Sequence, residues 1–424
     1  MFNKKALFFA LSLAAMGLAS CGGGGKNADL YYWCPSNDTD VMAELAEKFI
    51  QANPEYAGKS IQLGGNYEEG GTAKQLHADL DAAADVMLMA DDNIRAAVQA
   101  EELAEITDAD FAKTVDANAV QACSVNGKTY GYAYRADNSP MPFYATDFYS
   151  AADVTSLETI LQKAKASNKK IYFDLGNGWY NACLLWAGGG DFKASSDGQK
   201  VITNVGGKKG TAKAGVAAGL KAFKELYNTY KDNWVVSSTA GNIEAGFKSG
   251  EVVYAFCWND MKNIKAAHSA VSVAPWPSIN IAGAAKKLET FQSFKAVVCK
   301  YNDSDPERLT LAKKFAAFLA NKDSQQTRLE KLEYGPSNKE LLASDKVAAL
   351  PFIKAINEMN KENRLHGQAV NTVPAFWDPM ATLGGVITNG KADGTSGAWG
   401  ESESAERLLD ALVSNSGWEV GEIN

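Results

Sequence analysis

Three tryptophans that stand close to planar polar residues are the features of this sequence with the clearest chemical potential. Each has an asparagine or aspartate within two positions: Asn177 and Trp179, Trp258 and Asp260, and Trp377 and Asp378. A flat aromatic ring covers the apolar C–H face of a sugar, while amide and carboxylate groups form paired hydrogen bonds with its hydroxyl rim. The pattern favours a carbohydrate site, although any one of these tryptophans taken alone is at least as well explained by packing.

Glycine-rich segments raise the alternative of a nucleotide site, and they fail its sequence requirements. Gly58-Lys59-Ser60 and Gly127-Lys128-Thr129 match the end of a phosphate-binding loop, but the first glycine of that motif is missing in both. Gly176 and Gly178 begin a dinucleotide-binding pattern whose third glycine is replaced by Asn181. We therefore expect no nucleotide cofactor.

Signals of an enzyme or a metal site are also missing from the sequence. His77, His268 and His366 are isolated and have no metal-ligand spacing, and no Gly-x-Ser-x-Gly nucleophile motif occurs. A carboxylate pair of a glycosidase can converge in space without a sequence signature. We expect a binding protein with no cofactor and no metal, and we keep a secreted glycosidase as the minor alternative.

The first 27 residues have the pattern of a secretion signal and a tether. Lys4 and Lys5 precede an apolar run over residues 6–18, which is too short to span a bilayer. The sequence "LASC", ending at Cys21, resembles a bacterial lipobox, and an ordinary signal with a chance cysteine is the alternative. We predict a lipoprotein signal peptide over residues 1–20, lipidation of Cys21, and a flexible tether over residues 21–27. The protein would then be extracytoplasmic and anchored to a bacterial cell membrane through this lipid alone.

Composition limits the class of the remaining chain. About 46% of the 424 residues are hydrophobic, 22% are charged, and the formal net charge is −8. This length suits two globular lobes, and the acidic balance argues against a nucleic-acid partner. The widely spaced cysteines do not form a disulfide framework, so Cys34, Cys183, Cys257 and Cys299 are expected to be small core residues.

Short apolar runs alternate with amphipathic segments along the chain, which predicts sheets flanked by helices. The predicted strands cover residues 30–33, 61–63, 85–89, 130–134, 143–144, 252–257, 271–274 and 294–299. The predicted helices begin near residues 40, 72, 93, 156, 215, 306 and 405. The first is expected to be capped by Asp38 or Thr39 and to end at Asn53-Pro54.

Several segments, in this order, resemble the extracellular solute-binding proteins of ATP-binding-cassette importers, and most closely their maltose/maltodextrin-binding branch. They are "YYWCPSNDTDVMAELAEKFIQANPEY", "ADVMLMADDNIRAAVQAEELAEI", "VNGKTYGYAYRADNSPMPFYATD", "GWYNACLLWAGGGDF", "IEAGFKSGEVVYAFCWND", "AKKFAAFLANKDSQQTRLEKLEYGPSNKEL" and "VPAFWDPM". The resemblance covers nearly all of residues 28–415. It implies a two-lobed α/β periplasmic-binding-protein fold of type II, each lobe a mostly parallel sheet flanked by helices, joined by a hinge.

The resemblance also implies how the lobes divide and what they hold. The N-terminal lobe would comprise residues 28–135 and about 284–335, and the C-terminal lobe about 140–278 and 340–424. Ligand would be bound in the cleft as the lobes close, and permease subunits of the importer would recognise the closed state. We expect a monomer that captures an oligosaccharide.

Individual positions match the maltodextrin branch unevenly. Trp179, Trp377 and Trp258 fall on or near stacking aromatics, and Asp92 and Asn177 on residues that bind sugar hydroxyls. Met89 replaces a usual tryptophan, Asn93 an arginine, Arg135 a glutamate, and Asn37-Asp38 an Asp-Lys pair. The predicted ligand-binding set is therefore Trp179, Trp377, Trp258, Asp92, Asn93, Asn37, Asp38, Asn177, Arg135, Asp260, Asp378 and Asn66.

These departures leave the ligand open. An oligosaccharide, maltodextrin or another, is favoured, and a peptide, a polyamine or a phosphorylated solute is the alternative. Arg135 is the one loop arginine expected in the cleft, which argues weakly against a strongly anionic ligand.

Overall fold

The structure is a computed structural model that describes residues 28–195, 198–235, 240–258, 261–368, 374–388 and 404–423. Within these ranges the strands are β1 (Leu30–Cys34), β2 (Ile61–Asn66), β3 (Val86–Ala90), β4 (Ser124–Val125), β5 (Lys128–Thr129), β6 (Gly131–Asn138), β7 (Met141–Ala145), β8 (Lys170–Tyr172), β9 (Phe192–Ala194), β10 (Val201–Thr203), β11 (Trp234–Val235), β12 (Val252–Cys257), β13 (Val271–Val273), β14 (Ser278–Ile281), β15 (Ala284–Lys287), β16 (Thr290–Cys299), β17 (Leu365–Gly367) and β18 (Glu419–Val420).

The α-helices in the same ranges flank these strands. They are α1 (Thr39–Ala52), α2 (Thr72–Ala78), α3 (Asp91–Gln99), α4 (Phe111–Thr114), α5 (Ala117–Ala122), α6 (Leu157–Ala166), α7 (Gly178–Asn181), α8 (Cys183–Trp186), α9 (Lys213–Tyr230), α10 (Ala240–Ser249), α11 (Met261–Ala267), α12 (Pro306–Leu319), α13 (Lys322–Leu332), α14 (Lys339–Leu342), α15 (Asp345–Ala348), α16 (Pro351–Lys361), α17 (Trp377–Thr388) and α18 (Ala405–Ser416). Short 3₁₀ helices span Ser36–Asp38, Pro54–Tyr56, Asp153–Thr155, Lys231–Asn233 and Pro374–Phe376.

A six-stranded sheet forms the centre of the first lobe. Its strand order is β17-β16-β3-β1-β2, and β6 also pairs with β16. β1 is parallel to β2 and β3, whereas β16 runs antiparallel to β3 and β6. Apolar side chains from these strands and from α1 and α12, including Leu45, Phe49, Val297 and Phe315, form one buried core.

A five-stranded sheet of order β11-β8-β12-β7-β13 forms the centre of the second lobe. β8 is parallel to β11 and β12, while β7 is antiparallel to β12 and β13, so both main sheets are mixed. A separate large core surrounds this sheet and includes Phe143, Phe173, Phe256 and Trp276. Two sheets flanked by helices confirm the predicted α/β class and its two lobes.

The chain passes between the two cores more than once. The first core includes Tyr134 and Phe294, and the second includes Met141 and Phe291, so β6–β7 and the middle of β16 are crossings. The assignment of whole segments to lobes stays a prediction. Because Phe291 belongs to the second core, we propose to move the predicted boundary near residue 284 to about residue 292.

Local signals in the sequence account for several helix starts. Pro306 occupies the first turn of α12, and the side chain of Asp305 accepts a hydrogen bond from the Arg308 amide at 3.0 Å. Ser156 caps α6 in the same way by accepting from the Thr159 amide. The five cysteines of the described residues are buried and form no disulfide bond, which confirms the prediction that Cys34, Cys183, Cys257 and Cys299 are core residues.

Two local predictions need correction. Asp38 is the N-cap residue of α1, as predicted, but its side chain forms no capping hydrogen bond and instead accepts a hydrogen bond from the Tyr334 hydroxyl at 2.9 Å. Thr39 is already the first residue of α1. Arg135 lies within β6 and not in a loop, since that strand continues to Asn138 as it pairs with β16. In both cases the local structure depends on a partner that is distant in sequence: Tyr334 for Asp38 and strand β16 for Arg135.

Candidate functional site

A cleft of about 490 Å³ lies between the two lobes. Its lining combines residues of the first sheet and its loops with two tryptophans of the second lobe. The lining residues are Pro35, Asn37, Glu68, Glu69, Gly70, Ala90, Arg135, Asn138, Trp179, Trp258, Lys295, Tyr334 and Gln368. The volume is in the range of small-molecule sites, and four predicted ligand residues (Asn37, Arg135, Trp179 and Trp258) lie together in it.

The second lobe contributes an aromatic platform, which we define as Trp179, Trp258 and Trp377. The rings of Trp179 and Trp377 are stacked, with centroids 3.9 Å apart and an interplanar angle of 16°. Trp258 meets Trp179 edge to face at 5.9 Å. All three indoles are half-buried. Trp179 and Trp258 face the cleft, and Trp377 supports Trp179 from behind.

Backbone features of the loop before α7 hold Trp179 in place. The Asn177 side chain accepts a hydrogen bond from the Trp179 amide at 3.0 Å and so caps α7. A Cβ atom on Gly178 would overlap the backbone of Trp377, so only glycine permits this approach. Asn177 is predicted to bind ligand, but the hydrogen bond described for its side chain is this cap of α7.

The first lobe contributes a group of charged and polar side chains to the cleft, which we call the charged wall. It consists of Glu68, Glu69, Arg135, Lys295 and Tyr334. Glu69 is buried, and its carboxylate accepts a hydrogen bond from the Tyr134 hydroxyl at 3.1 Å and lies 3.7 Å from the Lys295 ammonium. Burial acts to raise the pKa of Glu69, but the charges of Lys295 and Arg135 outweigh it and leave that pKa below its ordinary value. Burial and the neighbouring Glu69 raise the pKa of Glu68.

Arg135 and Tyr334 form the part of the wall nearest the crossings between lobes. The guanidinium of Arg135 lies over the Tyr334 ring, 3.6 Å from its centroid, and its Nε is 2.5 Å from Asp137. The Tyr334 hydroxyl donates to Asp38, which is fully buried. Burial raises the pKa of Asp38 to about 6, and the charge of Glu69 adds to that effect. Asp38 does not line the cleft itself, but it is hydrogen-bonded to Tyr334, which does.

Asp92 and Asn93 lie at the start of α3, beside the cleft and outside its lining. Asn93 donates to Asp92 at 3.0 Å, and the Gln368 side chain, which does line the cleft, acts to lower the pKa of Asp92. Burial raises the pKa of Asp92 to about 6 against the opposing charge of Lys295. Met89, at the position of a usual stacking residue, is fully buried in the first core.

The remaining predicted residues do not meet in the cleft. Asn66 is exposed and donates to Thr39 Oγ1 at 2.9 Å. Asp378 is exposed and borders a separate groove between α17 and α18. Their role in ligand binding stays a prediction that this arrangement does not favour. Asp260 and the lipidation site Cys21 lie outside the described residues.

Sequence reasoning missed several residues that line the cleft. They are Glu68, Glu69, Asn138, Lys295, Tyr334 and Gln368. Two signals were present in the sequence: a lysine inside an otherwise apolar strand, and two adjacent glutamates in the glycine-rich loop after β2. The others become site residues only through the packing of crossing segments.

The cleft geometry suits reversible binding of a solute with one apolar face and a polar rim. The platform offers indole surface, and the wall offers charged hydrogen-bond donors and acceptors in the same cleft. Among the described residues, no group of three or more histidine, cysteine or acidic side chains is arranged to hold a metal ion. No helix in those ranges is long and apolar enough to cross a bilayer.

The two lobes and the cleft between them define a bilobal binding protein. The chain belongs to the family of bacterial extracellular solute-binding proteins, which it matches over residues 44–355. This membership confirms the resemblance inferred from sequence and the prediction of a binding protein in place of an enzyme. Comparison with curated proteins finds no similar sequence.

Solved structures with the same fold include maltodextrin-binding proteins and a complex with maltopentaose. MalE1, a maltodextrin-binding protein of L. casei BL23 without ligand, is 19% identical, covers 91% of this chain and 98% of its own, and has a TM-score of 0.73. A cyclo/maltodextrin-binding protein complexed with maltotetraose is 20% identical, with coverages of 93% and 98% and a TM-score of 0.69. MalX of Streptococcus pneumoniae, in complex with maltopentaose, is 19% identical, with coverages of 91% and 100% and a TM-score of 0.69. At these identities the likeness establishes the fold.

Proposed function

We propose that this protein is the substrate-binding component of an importer of the ATP-binding-cassette class and that it captures an oligosaccharide in the inter-lobe cleft. The observation that carries the proposal is that Trp179, stacked on Trp377, lines the same cleft as the charged wall. An indole face and nearby charged groups match the two surfaces of a sugar ring. The maltotetraose and maltopentaose in the complexes with similar folds support this class of ligand.

Contacts across the mouth of the cleft support closure of the lobes around the ligand. At one side Gln199, between β9 and β10, donates to Gln99 of α3 at 3.4 Å. At the other, Lys265 of α11 lies 3.5 Å from Glu333, the residue after α13, and Lys262 donates to the Lys331 carbonyl. Such contacts form only when the lobes are close, so they give the closed form a surface that permease subunits could distinguish.

We also propose that the mature protein is a monomer held at the outer side of the cell membrane by a lipid on Cys21. The proposal rests on the lipobox pattern and the glycine tether that follows it. Expression in a bacterial host with an alkyne-labelled fatty acid should label the full-length protein and place it in the membrane fraction. A Cys21→Ala variant should lose both properties. Equal labelling of this variant and the unchanged protein would refute lipidation at this residue.

Calorimetric titration against a panel of oligosaccharides tests the ligand class. The panel should contain neutral tetrasaccharides of different linkage, an acidic trisaccharide, a tetrapeptide and spermidine. We expect heat of binding and a change in tryptophan fluorescence with at least one oligosaccharide, because two of the platform indoles line the cleft. Tight binding of the peptide or of spermidine, with no response to any sugar, would reject the proposal. The permease remains to be found by co-purification with the loaded protein.

A further inference from the structure

Lys295 lies on the charged wall at the middle of the first sheet. Its neighbours across the sheet are Ala90 of β3 and Arg135 of β6, and all three residues line the cleft. The adjacent residues Phe294 and Ala296 point into the hydrophobic core. Because side chains alternate between the two faces of a strand, the side chain of Lys295 points away from the core and into the cleft.

An irregularity in strand pairing coincides with this residue. The register between β16 and β6 shifts on both sides of Lys295, between Ser293 and Lys295 and again between Lys295 and Ala296. Bulges of this kind redirect a side chain and are enriched next to functional sites. The sheet therefore directs this lysine locally, while β16 keeps regular pairing with β3.

The ammonium group of Lys295 has donors that the described protein atoms leave unused. The residue is 8% exposed, and its one ion pair among the described residues, with Glu69, spans 3.7 Å, which is longer than a hydrogen bond. An ammonium carries three N–H donors, and buried donors are normally satisfied. Within the described part of the chain no side chain or carbonyl accepts from it. The free donors face the cleft.

Carboxylates lie next to these donors. Glu69 has one oxygen bonded to Tyr134 and the other near Lys295, and Glu68 presents a second carboxylate to the cleft from the same loop. A sugar hydroxyl can accept from an ammonium and donate to a carboxylate at the same time. An acidic sugar would instead place its own carboxylate beside Glu68 at a cost in electrostatic energy.

We propose that Lys295 is a ligand-binding residue that donates charge-assisted hydrogen bonds to hydroxyl or ring oxygens of a neutral oligosaccharide, with Glu68 and Glu69 accepting from adjacent hydroxyls. This inference rests on the proposed function and narrows it to neutral sugars. It also adds a polar ligand contact that is not among the ligand-binding residues predicted from sequence. The platform and Lys295 would then contact the same bound oligosaccharide.

Calorimetry with maltotetraose, cellotetraose and trigalacturonate tests this role. The unchanged protein should bind a neutral tetrasaccharide more tightly than trigalacturonate. Lys295→Met should weaken that binding roughly 10- to 100-fold, the effect of losing hydrogen bonds from a charged donor. Lys295→Arg should retain most of the affinity. Lys286→Met, which removes an exposed lysine of β15, should leave it unchanged.

Melting temperatures distinguish a role in ligand binding from a role in folding. Lys295→Met should melt close to the unchanged protein without ligand and lose most of the rise that the tetrasaccharide causes. If this variant fails to fold, Lys295→Gln replaces it in both measurements. Equal affinity of the unchanged protein and the Lys295 variants would overturn the inference and leave the proposed function intact. A preference for trigalacturonate would overturn only the claim that the ligand is a neutral sugar. If the protein responds neither to these three sugars nor to the wider panel, the proposed function itself is rejected.

Discussion

Trp179 and Trp377 stack face to face although 198 positions separate them in the sequence, with centroids 3.9 Å apart and planes inclined by 16°. One belongs to the short helix α7 and the other begins α17. Stacking of this kind leaves one face of Trp179 toward the cleft and fixes the orientation of its ring. The ring is thus held in position before any ligand arrives, which lowers the entropy cost of binding.

The first prediction concerns this stacked pair. Trp179→Ala should weaken oligosaccharide binding by roughly 1–3 kcal/mol, on the scale of ring stacking on an aromatic side chain. Trp377→Ala should cost less, about 0.5–1.5 kcal/mol, because it removes support for Trp179 and no direct contact. Titration calorimetry measures both, with Tyr301→Ala, an exposed aromatic residue, as the control. Unchanged affinity in Trp179→Ala would show that this tryptophan serves packing alone.

The alternation of strands and helices could be predicted from sequence because each element follows from local periodicity. The strand at Val252–Cys257 and the proline-started helix α12 are examples. A lysine inside an apolar strand marks Lys295 as unusual, but its place in the cleft could not be predicted, since that depends on pairing with β3 and β6 from distant parts of the chain. Asp38 shows the same limit. Its position before α1 predicted a side-chain cap, but its carboxylate accepts a hydrogen bond from Tyr334, 296 positions later in the sequence.

The second prediction concerns the contacts across the cleft mouth. Lys265 and Glu333 form a partly exposed ion pair between α11 and the residue after α13, which should favour the closed form by at most about 1 kcal/mol. Lys265→Ala should therefore weaken ligand binding by no more than about 5-fold, mainly through faster dissociation, with the difference vanishing at high salt. Stopped-flow fluorescence measures it. Lys59→Ala, which breaks a comparable pair with Asp29 inside the first lobe, should leave dissociation unchanged.

The third prediction concerns pH and Asp91, a buried carboxyl that accepts hydrogen bonds from Ser293 and from the Phe294 amide. Burial, and then the charge of Asp92, raise the pKa of Asp91 from its ordinary 3.8 to about 7. The folded state therefore binds more protons than the unfolded state between those values, and this group's contribution to stability is lost as pH rises through the window. Asp91→Asn should remove that loss.

Melting curves at pH 5 and pH 8 test whether the contribution of Asp91 to stability falls as pH rises. The melting temperature of Asp91→Asn relative to the unchanged protein should be higher at pH 8 than at pH 5, whatever the cost of the substitution itself. Asp110→Asn is the control, because Lys113 holds the pKa of that exposed carboxyl below its ordinary 3.8, so the group is ionised in the folded and unfolded states at both pH values and the relative melting temperature of this variant should not change between them. A difference for Asp91→Asn that falls with pH would contradict the raised pKa.

The fourth prediction uses two adjacent glycines in α17, the helix that begins with Trp377. A Cβ atom on Gly384 would overlap the carbonyl oxygen of Leu175, whereas one on Gly385 would meet no atom within 4 Å. Gly384→Ala should therefore destabilise the fold by roughly 1–3 kcal/mol or more and displace α17 from the loop before α7. Gly385→Ala should be neutral or stabilise the fold by about 0.5–1 kcal/mol, since alanine has a higher helix propensity than glycine.

Because α17 carries Trp377, Gly384→Ala should also weaken oligosaccharide binding in calorimetry, while Gly385→Ala should bind as the unchanged protein does. Equal melting temperatures for the two variants would mean that α17 does not approach Leu175 as closely as described.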